Sequence, residues 1–376
     1  MVAVFLKRYR SMIRVSVFFF CVGCGVTLCF LRISCAKTSE SALPNFKRQV
    51  VNYDDFVEFA VLVLTNPDNA NKRNVIRNTW GKFVYNLYMQ NGEIMYKWNH
   101  SWTEKRSSRP KFVQVYFVIG TKGLSSEKWD KLEMEDSRNK DMVFLNDLTD
   151  TYENLALKVK LSFQWFNDNL DNLKYLIKCD DDSFVRIDLI VKDLEASAPL
   201  MNSDMLSKYV TQKNQKVTSP SKGLYWGYMN GRAQINRYSG KWLEHDWFLC
   251  DYYLPYALGG GYVVSRSIVD FIGKNADLLS CYRSEDVSMG VWTAPLDGIN
   301  RVHDIRFDTE WKSRGCLNHM LVRHKQNTQD MFQMYKTLVD SEGKILCKTE
   351  TYYDTPYDYD WKQRPSRCCN EPHLLK

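Results

Sequence analysis

The 376-residue sequence has no GxxxxGK[ST] phosphate loop and no protein-kinase signature set, so the common phosphoryl-transfer sites are disfavoured. It has no internal repeat and no long low-complexity tract, which disfavours a solenoid or propeller. Past residue 36 there is no CxxC pair with matching His or Cys ligands, so zinc is not indicated. Acidic residues are missing before residue 37, where Lys7, Arg8, Arg10, Arg14 and Arg32 supply five positive charges. Without those five, 46 basic residues face 44 acidic ones. The net charge of +7 is therefore an N-terminal feature, and nothing requires the basic face that nucleic acid would demand. No nucleic-acid partner is expected.

The same early charges flank Val15–Leu31, a run of 17 uncharged residues. With Arg32 snorkelling and residues 33–36 contributing, the run is just long enough to span a bilayer. Ser34 and Ala36 after the run would also suit a cleaved signal peptide. We adopt the uncleaved anchor, and the preceding basic cluster then predicts a cytoplasmic N-terminus and a lumenal body. A short span suits the thinner membranes of the early secretory pathway. The expected organisation is a cytoplasmic tail at 1–14, a transmembrane signal-anchor at 15–36, a stem at 37–54 and a lumenal domain at 55–376. The body carries Cys179, Cys250, Cys281, Cys316, Cys347, Cys368 and Cys369. In an oxidising lumen several of these should pair, with at least one left over. A glycosylation sequon at Asn99, in a polar stretch, fits that compartment.

Along the body, apolar β-prone runs alternate with helix-spaced segments. FVEFAVLVLTN (56–66), KFVQVYFVIG (111–120), DMVFLND (141–147) and LKYLIKCDDD (173–182) have the character of strands. NKRNVIRNTWGKF (71–83), EKWDKLEMEDSRNK (127–140) and TYENLALKVKLSFQWFNDN (151–169) have that of helices, as do 265–277 and 328–340. Arg73 and Arg77, four apart, share one face of the first helix. Short strands and turns are expected around YALGGGYVVS (256–265), and a polar surface loop at 201–222. The alternation predicts βα units and a largely parallel sheet. A ligand site should then lie beyond the carboxyl ends of the strands.

One of those ends carries Asp180, Asp181 and Asp182. Three adjacent carboxylates repel one another unless a cation sits among them. A solvated turn or helix N-terminus is the ordinary explanation. Here an apolar strand holds the acids at the rim of a core, and a hard divalent cation such as Mg2+ or Mn2+, bridging to substrate phosphate, is the alternative. An EF-hand fits poorly, because its glycine and terminal Glu are missing. RSEDVSMG (283–290) holds Glu285 and Asp286, which either cap a helix beginning near Val287 or provide a general base for a hydroxyl. The glycines of YALGGGYVVS mark a bulge or turn, or a close approach of backbone to a sugar ring that a Cβ would block. His324, after an apolar segment, is either structural or an imidazole ligand.

Taken together, RNVIRNTWG, VYFVIG, NDLTDTYENLALK, YLIKCDDDSFV, YALGGGYVVS and SEDVSMG resemble motifs of the β-1,3-glycosyltransferases of glycosyltransferase family 31. They follow the family order, and the likeness extends over residues 60 to 350 around them. The resemblance implies a single GT-A-type, Rossmann-like α/β domain with a mixed, mostly parallel sheet, after the N-terminal transmembrane helix. Within the family, LYWGYMNGR, LCDYYLPYALGGGYVVS, SEDVSMGVWTAPLD, HDIRFDTEWKSRGC and LVRHKQ resemble the galactosyltransferases that build the proteoglycan linker. That likeness implies UDP-galactose as donor, Mn2+ as cofactor, and an acceptor ending in galactose-β-1,4-xylose on serine of a proteoglycan core protein. It also implies a single-pass type II protein of the Golgi membrane.

Carried over residue by residue, the resemblance gives Asp182 and His324 to the metal, with His303 as a rival ligand. Asp180, Asp181, Arg73, Arg77 and Lys158 fall to the nucleotide sugar. Asp286 becomes the catalytic base, held ionised by Mn2+ or Arg283. Trp226, Tyr256, Gly260, Gly261 and Glu285 become acceptor contacts. Cys179 and Cys281 depart from the family pattern and, if both point inward, would pair or tune the site. The 201–222 loop is longer than in close relatives, which bears on acceptor contacts. The reaction implied is one displacement with inversion. Transfer of another sugar or to another glycan is the alternative within the class, and a non-catalytic glycan-binding protein the alternative outside it.

Overall fold

The computed structural model describes residues 57–90, 93–98, 112–196, 212–213 and 222–370. The expected tail, anchor and stem, the sequon at Asn99 and most of the 201–222 loop lie outside the described residues. Among the described residues no helix is long and apolar enough to cross a membrane.

Seven strands make the main sheet: β1 (Phe59–Leu64), β2 (Val113–Gly120), β3 (Met142–Leu145), β4 (Tyr175–Asp180), β5 (Gly223–Asn230), β6 (Tyr256–Ser265) and β7 (Ile299–His303). Their order across the sheet is β7-β5-β6-β4-β1-β2-β3. β1 pairs parallel with β2 and β4, β2 with β3, and β7 with β5. β6 runs antiparallel to both its neighbours, β4 and β5. The alternating pattern predicts the parallel majority, and the antiparallel β6 makes the sheet mixed, as the resemblance implies. Every residue of β1 is buried, as a parallel strand covered on both faces requires.

Helices α1 (Ala70–Asn78), α2 (Ser126–Asn139) and α3 (Leu155–Asn169) follow β1, β2 and β3 in turn. α4 (Ile187–Ala196) has no counterpart among the sequence-based expectations; α5 (Arg266–Lys274), α6 (Glu285–Thr293) and α7 (Thr328–Asp340) follow. The boundaries have chemical causes. Ser125 caps α2 by accepting from the Lys128 N–H, and Asn327 caps α7 by accepting from the Asp330 N–H at 2.9 Å. The segment 256–265 is one ten-residue strand rather than short strands and turns, with its register against β5 shifting between Ala257 and Tyr262. The glycine run therefore marks a bulge inside a strand.

The basic face of α1 turns toward α2, not toward the carboxyl ends of the strands. Arg73 is fully buried and donates to both carboxylate oxygens of Glu135, to the Asn66 carbonyl and to the Pro67 carbonyl. Arg77 grips Asp141 with two N–H groups at 2.8 Å, reaches Glu135 at 2.6 Å and lies over the Phe117 ring. These arginines clasp α1 to α2 and β2. Arg73, with no exposed surface, cannot touch a nucleotide.

Among the described residues, Cys316 pairs with Cys347 and Cys368 with Cys369. Cys179, Cys250 and Cys281 are free. Cys179 and Cys281 thus do not pair. Cys179 sits inside β4, opposite Val63 on one side and Gly261 on the other, while Cys281 is exposed. Burial pushes the Cys179 thiol well above its ordinary pKa, which makes it an inert core residue.

Candidate active site

The acids emerge where β4 ends, between β1 and β6, at the carboxyl edge of the parallel strands. The chain turns at once: the Ser183 N–H bonds the Asp180 carbonyl at 3.1 Å, and the Ser183 hydroxyl bonds the Gly260 carbonyl at 2.7 Å. Phe184–Val185 then pairs antiparallel with Val322–Arg323. That pairing brings His324 over the acids, and the Gln326 N–H closes the loop on the Asp182 carbonyl at 2.7 Å.

The three carboxylates meet different fates. Asp181 is buried and saturated: one oxygen accepts from Thr65 and Asn69 at 2.7 Å each, and the other accepts from Lys72 at 2.8 Å. Asp180 and Asp182 converge on the His324 Nε2 at 3.4 and 3.1 Å, with 33% and 34% of their side chains exposed. One ligand atom from each of Asp180, Asp182 and His324 lies within 4.8 Å of the others, so these three form the candidate cation site. Asp180 therefore joins the candidate metal set, while Asp181 ties the acid loop to the β1–α1 turn.

Two carboxylates and an imidazole suit a divalent cation such as Mn2+, and the electrostatics agree. Burial opposes charge on His324, but hydrogen bonds and the fields of Asp180 and Asp182 overcome it and lift its pKa to about 9. A cation bound between the two carboxylates would compete with a proton on His324. Burial likewise opposes charge on Asp180, yet Lys178 and His324 hold its carboxyl well below the usual range. The His324 Nδ1 finds no partner among the described residues and lies against Gly260.

The rival His303 is settled by its surroundings. It is fully buried at the end of β7; its Nδ1 accepts from the Met229 N–H at 3.0 Å, so Nε2 carries the hydrogen it donates to the Tyr357 carbonyl at 3.0 Å. Both nitrogens are in use within the core. Burial lowers its pKa to about 4, which keeps the ring neutral.

On the other side of the glycine run lies α6, which begins with Glu285 and Asp286 rather than near Val287. Asp286 accepts from the Gly259 N–H at 3.1 Å and from the Val287 N–H at 2.9 Å, and it remains partly exposed. Burial raises its pKa above the ordinary carboxyl value, opposed by Lys178 and by these two N–H groups. A carboxylate tuned upward is a better proton acceptor near neutral pH. Lys178, not Arg283, is the cation that favours its ionised form. The Arg283 guanidinium instead holds Glu153 at 3.2 Å and the Lys241 carbonyl at 2.7 Å.

The remaining sequence-based site residues are placed as follows. Glu285 is buried, binds Lys178 and receives the Tyr262 hydroxyl at 3.4 Å; burial raises its pKa above the ordinary carboxyl value, opposed by the charge of Lys178. Trp226 is fully buried, with its indole N–H on Asp304 at 2.9 Å and its ring edge-on to Phe307, so it is core. Tyr256 packs in a cluster with Tyr253, Trp247, Tyr282 and Val287. Lys158 is buried under the site, on Asp150 at 2.6 Å and the Thr65 carbonyl at 2.5 Å, and burial lowers its pKa. The glycines do provide close approach, but to protein groups. A Cβ on Gly259 would meet Glu285 Oε1 at 2.5 Å, and one on Gly260 would meet the His324 ring at 2.6 Å. A Cβ on Gly261 would strike Val322 at 2.9 Å.

Sequence reasoning missed Thr65, Asn69, Lys72 and Lys178. Lys178 alone carried a signal, since it lies two residues before Asp180 on a strand and so shares its face.

Asp180, Asp182 and His324 form a candidate cation site, and Asp286 contacts the neighbouring glycine of the same strand, Gly259. The family model described as galactosyltransferase matches residues 97–304. The chain is 38% identical to beta-1,3-galactosyltransferase 6 of Mus musculus over 352 residues, covering 92% of this chain and 91% of that one. It is 31% identical to UDP-GalNAc:beta-1,3-N-acetylgalactosaminyltransferase 2 of Xenopus laevis over 64% of this chain, which spans 43% of that relative's length. Among solved structures, the galactosyltransferase LgtC with donor and acceptor sugar analogues aligns over 64% of this chain and 72% of that one. Its TM-score of 0.26 and identity of 10% are too low to carry an argument. The chain belongs to the galactosyltransferase family, and it is a glycosyltransferase.

Proposed function

We propose that the protein transfers galactose from UDP-galactose to the 3-hydroxyl of the galactose in Gal-β-1,4-Xyl on serine of a proteoglycan core protein. The observation that carries this reading is Asp286 and the Asp180–Asp182–His324 set on either side of one glycine run, in a chain 38% identical to a β-1,3-galactosyltransferase across nearly its whole length. The choice of acceptor rests on the linker-type motifs LYWGYMNGR and SEDVSMGVWTAPLD.

In this reading the domain has the GT-A type, and Asp180, Asp182 and His324 hold Mn2+. When bound, the ion would offset the diphosphate charge as UDP leaves. Asp286 accepts the proton of the acceptor hydroxyl while that oxygen bonds the anomeric carbon. The bond from that carbon to the diphosphate oxygen breaks, and UDP departs with the electron pair. A single displacement turns the α-linked donor into a β product through an oxocarbenium-like transition state. The uncharged run at 15–31 would anchor the protein as a type II protein of the Golgi membrane, with this site in the lumen.

The test uses the full chain in detergent, UDP-galactose and a galactosyl-β-1,4-xyloside, with Mn2+ or with chelator. Metal-dependent formation of a β-1,3 linkage is expected. A folded, UDP-binding protein that transfers nothing to this acceptor overturns the acceptor assignment. Transfer only from a UDP-N-acetylhexosamine, the kind of donor in the name of the Xenopus relative, overturns the donor assignment.

A further inference from the structure

Lys178 is the most enclosed charge of the site. Its side chain has no exposed surface, and its ammonium has three acceptors. They are Asp180 Oδ1 at 2.9 Å, the Glu285 carboxylate and the Gly259 carbonyl. An ammonium has three N–H donors, so all three are directed. Each acceptor belongs to a different part of the machinery. The second oxygen of Asp180 faces His324. The N–H of Gly259 sets Asp286 Oδ2. Glu285 is the residue before the base, at the first turn of α6.

We propose that Lys178 is a positioning residue that fastens the cation site and the base-bearing turn into one unit, with Glu285 as its anchor. The inference rests on Asp180 being a cation ligand and Asp286 the base. By holding Asp180 Oδ1, Lys178 leaves Oδ2 as the oxygen directed at the cation site. By holding the Gly259 carbonyl, it fixes the peptide region whose N–H aims Asp286. It touches neither donor nor acceptor itself, and it acts through residues that do. Glu285, buried and bound to Lys178 and Tyr262, is then part of this brace and not an acceptor contact.

A tight brace matters because the two ends must meet one reacting centre. A misplacement of 1 Å in such a site lowers turnover about 100-fold. It also matters for the cation, since loss of groups that orient a ligand weakens metal affinity by about 10–100-fold.

The main test is the double variant Lys178→Met/Glu285→Leu, which replaces the buried ion pair with apolar groups of similar volume. The exchange also leaves Asp180 Oδ1, the Gly259 carbonyl and the Tyr262 hydroxyl without this partner, so some loss of melting temperature is expected, and the kinetics are read well below it. Expected are a fall in kcat of about 100-fold with the KM for UDP-galactose within about threefold. Mn2+ affinity, read from loss of the free-ion EPR signal without substrate, should weaken by about tenfold. A folded double variant with parental kcat and Mn2+ affinity overturns the proposal. So does a loss of kcat with unchanged Mn2+ affinity, because the link to Asp180 would be absent.

If the double variant does not fold, Glu285→Gln decides. It keeps the shape but loosens the ammonium, and a fall in kcat of about tenfold at constant KM, with weaker Mn2+ binding, is expected. Parental values for both overturn the proposal. Should the parent protein transfer no galactose, the proposed function fails, and the Mn2+ titrations still report whether Lys178 holds Asp180.

Discussion

His303 and His324 lie 21 positions apart, each at the end of a strand segment, and the molecule treats them in opposite ways. His303 is walled in between Tyr228 and Tyr357, with ring centroids at 4.7 and 5.2 Å, and both nitrogens bonded to backbone. His324 stands at an open edge, with Nε2 facing two carboxylates. Burial drives one pKa down to about 4, and acidic neighbours drive the other up to about 9. The neighbourhood supplied by the fold, not the residue type, decides which histidine holds the core and which joins the candidate cation site.

The sharpest way to separate the two neighbourhoods starts at the open edge. Asp286→Asn should lower kcat by about 100- to 10,000-fold, the range for a general base, with UDP binding and melting temperature unchanged. Unchanged turnover in the assay above would remove Asp286 from the base role. In the closed neighbourhood, His303→Ala deletes a buried ring and two hydrogen bonds, and should cost about 2–4 kcal/mol of stability. Mn2+ affinity of the folded fraction should not move. Chemical denaturation with a parallel Mn2+ titration checks both halves.

Acid should act on the closed neighbourhood as well. Folding lowers the His303 pKa from 6.5 to about 4, so the unfolded chain takes the proton more readily. The stability that depends on the neutral ring is complete above pH 6.5 and declines as pH falls toward 4, by at most about 3 kcal/mol. A denaturation series at pH 7, 6, 5 and 4 should show this decline, and a flat profile would contradict it. At the open edge, His324→Ala should weaken Mn2+ binding by at least about tenfold while shifting the melting temperature little. A large stability loss with intact Mn2+ affinity would reverse the comparison.

What could be read in the sequence followed from local pattern. The strands at 59–64, 113–120, 142–145 and 175–180 are visible as short apolar, β-prone runs, and the helix at 328–340 by its helical spacing. The acid triplet and the Glu285–Asp286 pair are visible as motifs. Contacts between distant segments are not. His303 is satisfied by Tyr357, 54 residues away, and Asp181 by Thr65, 116 residues away. Arg73 and Arg77 do share one helix face, but periodicity cannot say whether that face meets a ligand or α2. The resemblance assigns Trp226 to the acceptor, but its contacts with the distant Asp304 and Phe307, which no local pattern shows, make it part of the core.

The glycine run of β6 has a consequence for how this gene can vary. Any missense change in a glycine codon adds at least one carbon atom to the residue. At position 259 that atom would collide with Glu285, and at position 260 with the ring of His324. Two adjacent codons with no side chain of their own therefore guard two separate halves of the machinery, and neither can drift without displacing a group encoded elsewhere.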